Sequence, residues 1–434
     1  MSNLQRGDKK LLNAWAFYDW ANSVYSLVIA SAIFPIYYAA IFKIKGIEQI
    51  TVFGTEFKNT ALISFVTASA FLMVAIISPF LSGIADYAGN KKSFMKFFCY
   101  LGALSCIGLC WFDLERIYLS LSFYFFGLIG FWGSLVFYNS YLPDVAFPEQ
   151  QDALSAKGYS MGYIGSVVLL LFNLAMVMSP ETFHIGGEHP AVTAMQYSFV
   201  SVGIWWIVFS QYTYYYLPKG NGGNKVTKDV LFNGFRELKK VWVLLGENVT
   251  LKKYLTSFFV YSMAVQTVML VATYFGEQEI AWENDDHKTM GLIISILVIQ
   301  LVAVAGAILT SKASDRFGNI KTLIFINCIW VVICICAYFV TLPVHFYITA
   351  GFVGLVMGGI QSLSRSTYSK LLPETKDTAS FFSFYDVAEK IGIVIGMLIY
   401  GLIDQLTGSM RNSIVFLALF FIVGVYLLNK VNKK

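Results

Sequence analysis

Three charged side chains lie inside an otherwise apolar stretch near the C-terminus, FFSFYDVAEKIGIVIGMLIYG at residues 381–401. Asp386 and Lys390 are four residues apart, so on a helix they share a face and can pair, whereas Glu389 is offset from that face. A charge at the centre of a bilayer costs about 2.5–3.5 kcal/mol, so it normally faces a cavity or a partner. The pattern fits three roles: a proton-carrying carboxylate, a binding group for a zwitterionic or charged solute, or a structural ion pair.

A fourth charged side chain lies near the start of the first apolar run, in AFYDWANSVYS at residues 16–26. Asp19, Asn22, Ser23 and Ser26 form a polar stripe on this helix, with Tyr25 among the aromatic residues alongside it. Asp19 lies only about 7–8 Å from the predicted start of the helix at 1.5 Å per residue, where a carboxylate costs much less than at the membrane centre. We therefore expect Asp19 to be a gate or pairing residue, and Glu389 to be the stronger candidate for proton coupling.

The composition of the 434-residue chain requires a membrane environment. Hydrophobic residues make up 57% of the chain and charged residues only 13%, whereas soluble domains carry about 25% charged residues. Apolar runs of 18 or more residues recur throughout, which excludes a large soluble α-helical protein. The first run lacks a small-residue cleavage site, so it is predicted to be a retained helix rather than a signal peptide. The net charge of +5 is attributed to membrane topology and not to nucleic-acid binding.

Twelve apolar runs predict twelve membrane-spanning helices, in two sets of six that a polar interval separates. The predicted helices cover residues 14–41, 60–82, 94–112, 117–140, 158–179, 194–217, 254–276, 288–311, 321–341, 345–369, 381–403 and 412–430. We therefore predict a six-helix bundle at residues 1–217, a cytoplasmic linker at residues 218–253 and a second six-helix bundle at residues 254–434.

The linker is predicted to be flexible at first and helical afterwards. It begins with PKGNGGNK at residues 218–225, which is rich in turn-forming residues. An amphipathic helix follows, with a basic face and one apolar stripe formed by Val230, Leu231, Phe235, Leu238, Val241, Trp242 and Leu245. We expect this helix to lie on the inner membrane surface, the alternative being a solvated linker helix.

The distribution of basic residues predicts the orientation in the membrane. With the N-terminus inside, 24 of the 31 Lys and Arg residues fall in cytoplasmic segments and 6 in outer segments, and Lys390 remains within a helix. This bias predicts that both termini are cytoplasmic.

Neither the cysteines nor the histidines indicate a metal site. The six cysteines form two clusters inside apolar runs, where they are expected to pack as small apolar residues. The four histidines fall in predicted outer loops. No G-x-x-x-x-G-K-[ST] motif occurs, which argues against ATP-driven transport. We expect no metal or other cofactor.

The two halves of the chain repeat a short loop sequence. SGIADYAGNKK at residues 82–92 and SKASDRFGNIK at residues 311–321 both contain D-x-x-G-N followed by Lys. Each copy follows the second predicted helix of its set. Parallel repeats of this kind are typical of transporters that work by alternating access.

These repeated loops resemble the signature of the major facilitator superfamily, a Gly followed by Asp-Arg-x-Gly and two basic residues. The first copy is carried by Gly83, Asp86, Gly89, Lys91 and Lys92, and the second by Asp315, Arg316, Gly318 and Lys321. The sequence departs from the signature at Ser82 and Ser311, which replace a Gly, and at Tyr87, which replaces the first Arg.

Three further segments, FYDWANSVY, YNSYLPD and GGIQSLSRSTYSKLLPE, resemble the bacterial relatives of the vacuolar amino-acid effluxers linked to autophagy. This resemblance spans essentially the whole chain. It implies an all-α integral membrane protein with the major facilitator fold, in which twelve transmembrane helices form two pseudo-symmetric six-helix bundles.

The resemblance also implies a gate at the cytoplasmic side. The Asp of each loop is expected to face the N-terminus of a helix in the other bundle: Asp86 near residues 378–380, and Asp315 near residues 153–155. A carboxylate in that position gains about 0.3–1 kcal/mol from the helix dipole. Because opening toward the cytoplasm would break the contact, both loops are predicted to bias the conformational equilibrium.

The central cavity is implied to be lined by residues of helices 1, 4, 7 and 10. The candidates are Asp19, Asn22, Tyr25, Tyr138, Asn139, Tyr261, Gln266, Gln361 and Arg365. For Arg365 two interpretations stay open: an interfacial charge at the end of helix 10, or a partner for substrate or for a carboxylate such as Asp19 or Glu389.

The sequence thus predicts a secondary active transporter and not an enzyme. It would move a small polar solute, with amino acids and peptide-like compounds as candidates, and H⁺ would be the coupling ion. We expect a monomer in the bacterial cytoplasmic membrane. The alternative is a non-transporting membrane receptor or scaffold that retains the transporter fold.

Overall fold

The computed structural model describes residues 4–220 and 230–431, apart from the side chains of residues 230–233, 285 and 286. Within these residues the chain is almost entirely helical. The α-helices are α1 (Lys9–Val24), α2 (Ile33–Lys45), α3 (Asn59–Ala88), α4 (Lys91–Gly108), α5 (Ile117–Ser140), α6 (Leu142–Val145), α7 (Pro148–Met178), α8 (Pro190–Tyr216), α9 (Val230–Glu247), α10 (Val249–Glu279), α11 (Asp285–Phe317), α12 (Asn319–Ala337), α13 (Pro343–Leu371), α14 (Thr378–Thr407) and α15 (Met410–Val431). A π-helical segment, Tyr25–Ala32, joins α1 to α2.

The helices are long and apolar enough to make this an integral membrane protein. Eleven spans of the described chain meet the length and hydropathy that a membrane crossing requires, with α1 and α2 counted as one. The predicted eleventh span, α14, is not among them. It has 30 residues, about 45 Å at 1.5 Å per residue, and it carries the three predicted intramembrane charges in its first half. The count of twelve spans therefore stays a prediction.

Two apolar cores divide the helices into two bundles. The first core is built by α1 to α8, with Trp206 among its largest buried side chains. The second core is built mainly by α10 to α15, with Val241 and Leu245 of α9 packed into it, and the rings of Trp330 and Phe421 stack there with centroids 5.3 Å apart. The bundles meet where α14 packs against α3 and α5, and where α7 packs against α11 and α13.

The two ends of the molecule differ in structure. We call inner end the end that carries α9 and the two repeated loops, and outer end the opposite one. At the outer end β1 (Gln49–Val52) pairs with β2 (Thr55–Lys58) in an antiparallel hairpin. This hairpin was not predicted from the sequence. Its turn residues Phe53 and Gly54 both have positive φ, which is typical of two-residue hairpin turns.

The apolar residues of the linker helix α9 do not form the single stripe that was predicted. Val241 and Leu245 are buried, but Phe235 is 52% and Trp242 is 65% exposed, so the stripe is divided between two faces. The side chains of Val230 and Leu231, and most of the predicted flexible segment 218–225, lie outside the described residues.

Candidate functional site

A buried ion pair joins the two bundles near the inner end. Arg365 on α13 donates from Nη1 and Nη2 to Oδ2 of Asp19 on α1, at 3.3 and 3.2 Å. The Tyr138 hydroxyl donates to the same oxygen at 2.8 Å. Both charged side chains are buried. Arg365 is therefore not an interfacial charge, and the predicted alternative of pairing with Asp19 describes its position.

The remaining donors of the Arg365 guanidinium are also satisfied. Ser155 accepts from Nε at its hydroxyl and from Nη2 at its carbonyl, both at 3.0 Å, and Asn139 Oδ1 accepts from Nη1 at 3.2 Å. The rings of Tyr159 and Trp15 lie 4.2 and 4.8 Å from the guanidinium carbon. A buried charge is tolerated only when it is paired and hydrogen-bonded in this way.

The close approach of α7 to this pair depends on Gly158. A Cβ at this position would lie 2.4 Å from Asp19 Oδ2 and 3.1 Å from an Arg365 nitrogen. Ser155 and Tyr159 were not identified from the sequence. Their signal was a stripe of polar and small residues at helical spacing on α7, which continues through Gly162.

The charged residues of α14 form a second cluster. Lys390 Nζ donates to Asp386 Oδ1 and to Glu389 Oε2, both at 2.9 Å. Gln266 Nε2 on α10 donates to Glu389 Oε1 at 2.8 Å. The Asp386–Lys390 pair has the predicted i,i+4 geometry, and Glu389 reaches the same ammonium in spite of its offset. Lys390 is only 1% exposed, whereas the Glu389 side chain retains 18%.

This second cluster contacts the other bundle through an aromatic ring. Lys390 Nζ lies 3.5 Å from the ring centroid of Trp132 on α5, well inside the range of a cation–π interaction. Asp386 Oδ2 is buried and has no hydrogen-bond partner among the described residues. The ammonium of Lys390 is thus shared between two carboxylates of its own helix and a ring of the opposite bundle.

Tyrosines of α7 follow the ion pair along the contact with the second bundle. The ring of Tyr159 lies 4.2 Å from the guanidinium carbon of Arg365, and its centroid is 6.0 Å from that of Tyr163. One turn further along α7, the Tyr163 hydroxyl donates to Gln361 Oε1 at 2.7 Å.

The predicted Tyr261 lies in a neighbouring network on α10 and α13. Its hydroxyl is 2.8 Å from Ser364 Oγ and 3.3 Å from the Tyr254 hydroxyl. A series of polar and aromatic side chains thus runs from the contact between the bundles into the second bundle.

Two predicted cavity residues of the first span, Tyr25 on the π-helical segment and Asn22 on α1, lie elsewhere. The Tyr25 ring stacks on Phe131 at 4.9 Å and packs near Trp206, both of the first bundle, so its predicted place in a central cavity was wrong. Asn22 is buried with its Nδ2 unpartnered among the described residues. The reason is rotational: positions three residues apart on an α-helix differ by about 60° in direction, so the direction has turned by about 120° after six residues, and only Asp19 faces α13.

The first repeated loop makes the predicted contact at the inner end. Asp86 accepts from the backbone N–H groups of Ala379 and Ser380 at 3.3 and 2.7 Å, and from the Ser380 hydroxyl at 2.7 Å. These are among the first N–H groups of α14, which have no intrahelical partner. A carboxylate of one bundle thus caps a helix of the other.

The other residues of this loop support the same contact. Lys91 pairs with Asp144 and donates to Thr378 Oγ1 at 2.6 Å. Gly89 ends α3 with φ of 62°, a left-handed conformation that favours glycine. Lys92 instead donates to the carbonyl of Leu217 at 2.6 Å, at the end of α8, so it stays within its own bundle.

The second repeated loop does not copy this arrangement. The side chain of Asp315 is exposed and takes part in no hydrogen bond or ion pair with any described residue, which corrects its predicted contact with residues 153–155. Arg316 and Lys321 are exposed as well, and Gly318 ends α11 with φ of 84°.

At the second repeated loop, the carboxylate that joins the two bundles belongs to the first bundle and not to the repeated motif. Asp152 on α7 accepts from Ser314 Oγ at 3.0 Å and from Asn319 Nδ2 at 2.9 Å, and it pairs with Lys370. The two elements that meet here, α7 and the end of α11, are the predicted ones, but the acid is Asp152, which lies outside the repeated motif.

Hydrogen bonds between the bundles are concentrated toward one end. Within the described residues, those that join α1–α8 to α10–α15 lie at the inner end or near the middle of the molecule. The conformation is therefore closed at its inner end. No group of three or more His, Cys, Asp and Glu in the described chain is placed to hold a metal ion.

Comparison with known proteins assigns this architecture to a family of transporters. The family model described as "Vacuole effluxer Atg22 like" matches residues 7–434. The chain is 30% identical over 423 residues to the uncharacterized MFS-type transporter YxiO of Bacillus subtilis, which covers 96% of this chain and 93% of that protein. It is 25% identical over 329 residues to autophagy-related protein 22 of Eremothecium gossypii, covering 68% of this chain and 61% of the relative.

Solved structures of major facilitator transporters share the fold. The E. coli fucose:proton symporter FucP superposes with a TM-score of 0.69 at 15% identity, covering 98% of both chains. The proton:xylose symporter XylE superposes with a TM-score of 0.73 at 12% identity, covering 97% of this chain and 95% of that one.

Proposed function

The chain belongs to the Atg22-like family of major facilitator transporters, and we propose that it is a proton-coupled secondary transporter of small zwitterionic solutes. Amino acids and peptide-like compounds are the solutes of this class. It acts as a monomer in the bacterial cytoplasmic membrane, with both termini in the cytoplasm. The basic residues of the inner end support this orientation.

The observation that carries the proposal is the position of Glu389. Its carboxylate is bound by Gln266 and Lys390 and retains partial exposure between the bundles. A second carboxylate, Asp386, shares the same ammonium. With both acids ionised the cluster carries one net negative charge, which a proton or a solute ammonium group can neutralise.

The net charge of the cluster links the protonation of Glu389 to the separation of the two bundles. A net charge at the contact between two apolar bundles is costly unless it is solvated. Neutralising Glu389 therefore favours tight closure around Lys390 and Trp132, and ionising it favours an open, hydrated cluster. Solute binding at the same place replaces the proton as the neutralising group, which is the basis of coupling.

Alternating access requires the inner end to open. The contacts that must break are those of Asp86 with α14, of Asp152 with Lys370, and of Asp19 with Arg365. When the bundles separate, the charged side chains of these contacts form hydrogen bonds with water in place of their protein partners. Such exchanges keep the two states within a few kcal/mol of each other, as a transport cycle requires.

Flux in proteoliposomes tests the proposal. The purified protein should accumulate a labelled amino acid when a pH gradient is imposed, and Glu389→Gln should abolish accumulation while retaining exchange of solute across the membrane. Glu283→Gln, at an exposed outer position, is the matched control and should behave as the wild type. Accumulation that survives Glu389→Gln overturns the assignment of Glu389.

A thermal-shift screen of metabolites identifies the solute before flux is measured. A ligand present at 100 times its Kd stabilises the folded protein by about 2.7 kcal/mol. Solutes that raise the unfolding temperature are then tested for flux. If no solute is transported under either gradient, the chain is a receptor or scaffold rather than a transporter.

A further inference from the structure

The linker helix α9 lies across the inner end and contacts both bundles. On the first bundle it meets the end of α3: a Cβ at Gly83 would lie only 2.3 Å from the Gly234 carbonyl oxygen. The rings of Phe235 and Phe80 lie 6.3 Å apart in the same region. The backbones of α9 and α3 can approach this closely because both positions lack a side chain.

On the second bundle α9 is held by an ion pair and by apolar packing. Lys240 Nζ donates to Asp377 Oδ2 at 2.9 Å, and this hydrogen bond raises the pKa of Lys240 against the opposing effect of its partial burial. Val241 and Leu245 pack into the second core. Asp377 immediately precedes α14, the helix whose first N–H groups bind Asp86.

α9 can keep both sets of contacts only while the inner end is closed. When the inner end opens, the ends of α3 and α14 move apart, and a helix packed on both must leave one of them. Any ligand that holds α9 in its present place therefore favours the closed conformation.

The remaining faces of α9 match a membrane surface. Phe235 and Trp242 are exposed on one edge. Phe235 lies next to Phe80, which is itself 43% exposed on α3, and Trp242 lies next to Phe384 on α14. Arg236 and Lys239 are exposed on the adjoining edge. An apolar edge that continues a lipid-facing wall, beside a row of cations, is the arrangement of a helix embedded among lipid headgroups.

We propose that α9 binds the anionic headgroups of the cytoplasmic leaflet through Arg236 and Lys239, and that this binding stabilises the closed inner end. Phe235 and Trp242 set its depth at the headgroup level. The lipid thus regulates the conformational equilibrium. The proposal does not depend on which solute is transported, because its test measures structure and not flux.

Hydrogen exchange of the full-length protein in nanodiscs tests the proposal. One set of discs contains phosphatidylcholine alone and the other a mixture with phosphatidylglycerol. Each basic residue near an anionic surface is worth about fivefold in binding, so amides of α9 should exchange up to about 30-fold more slowly in the anionic discs. The first turn of α14 should be protected in parallel.

Two double variants separate specific binding from general charge. Arg236→Gln with Lys239→Gln should lose the response to phosphatidylglycerol. Lys9→Gln with Lys10→Gln, which removes two exposed charges from the same end of the molecule, should retain it. Both pairs are exposed, so neither substitution threatens folding.

The outcomes are distinct. Equal exchange in the two discs, or an unchanged response in the α9 variant, overturns lipid binding. Protection of α9 without protection of the first turn of α14 overturns the coupling to the closed conformation. High salt should reduce the response of the wild type, because the headgroup interaction is screened.

Discussion

At the scale of single residues, the decisive feature is that charged groups of the two bundles neutralise each other. Asp19 looked from the sequence like an acid near a helix end, where it would be partly solvated. In the structure it is buried, and its partner Arg365 lies 346 residues later in the chain. The pair stabilises the conformation only while the inner end is closed.

Removing one member of this pair should open the inner end. Asp19→Asn leaves Arg365 buried without a counter-charge, which costs about 3–5 kcal/mol in such settings. We expect double electron–electron resonance to measure a longer distance between spin labels at the exposed positions Asn90 and Lys376. The labels are introduced in a cysteine-free background. Adding Arg365→Gln should restore the short distance, and a short distance in Asp19→Asn alone contradicts the role of the pair.

Trp132 should be coupled energetically to Lys390. A cation–π interaction is worth about 0.5–2 kcal/mol, so a double-mutant cycle of Trp132→Leu and Lys390→Met, measured by unfolding, should return a coupling energy in that range. Trp132→Phe keeps an aromatic face and should retain part of it. A coupling energy near zero would show that the contact is only steric.

At the scale of helices, the site depends on how closely α7 approaches α1. That approach is set by small residues, since Gly158 faces the Asp19 carboxylate and Gly162 faces the Ser23 side chain. Helix propensity would favour a residue other than glycine at both positions by up to about 1 kcal/mol. Tertiary packing therefore overrides local preference here.

Gly158→Ala should disturb the ion pair although it adds only one methyl group. Its Cβ would lie 2.4 Å from Asp19 Oδ2, so α7 must move away or the pair must break. The matched control is Gly401→Ala on α14, where no atom lies within 4 Å of the added Cβ. We expect a lower unfolding temperature for Gly158→Ala and an unchanged or higher one for Gly401→Ala; equal responses would contradict the packing argument.

At the scale of the whole molecule, the two bundles repeat their fold but not their chemistry. In the first bundle the motif acid Asp86 caps α14, while in the second the motif acid Asp315 faces solvent and Asp152 supplies the charge. Two different acids therefore hold the inner end on its two sides. Because the two contacts use different residues, either one can be removed by substitution without removing the other.

Because these two contacts share no residue, their losses should add. Asp86→Asn and Asp152→Asn should each lengthen the Asn90–Lys376 distance in part of the population. In the double variant, the free-energy difference between the closed and open populations should change by about the sum of the two single changes. Asp315→Asn is the control and should leave the distance distribution unchanged. A double variant no more open than either single variant would show that the two contacts act as one.

The sequence by itself determined the membrane environment, the division into two sets of helices and the elements that meet at the inner end. The first two follow from hydropathy and from repeated loop residues, which are local, whereas the elements that meet at the inner end were implied by the family resemblance. It also identified most of the charged and polar side chains of the site, including Glu389, Lys390, Arg365 and Asp19.

Only the tertiary structure decided which of these groups meet. A helix that is apolar on nearly every side carries little periodic signal for its rotation, so the sequence could not tell that Asp19 faces Arg365 while Tyr25 points into its own bundle. Partners such as Asp152 and Ser314 are separated by 162 residues, and their contact depends on how two bundles pack as rigid bodies. Local patterns do not encode that relation; it follows from the fit of small residues, buried charges and aromatic rings across the interface.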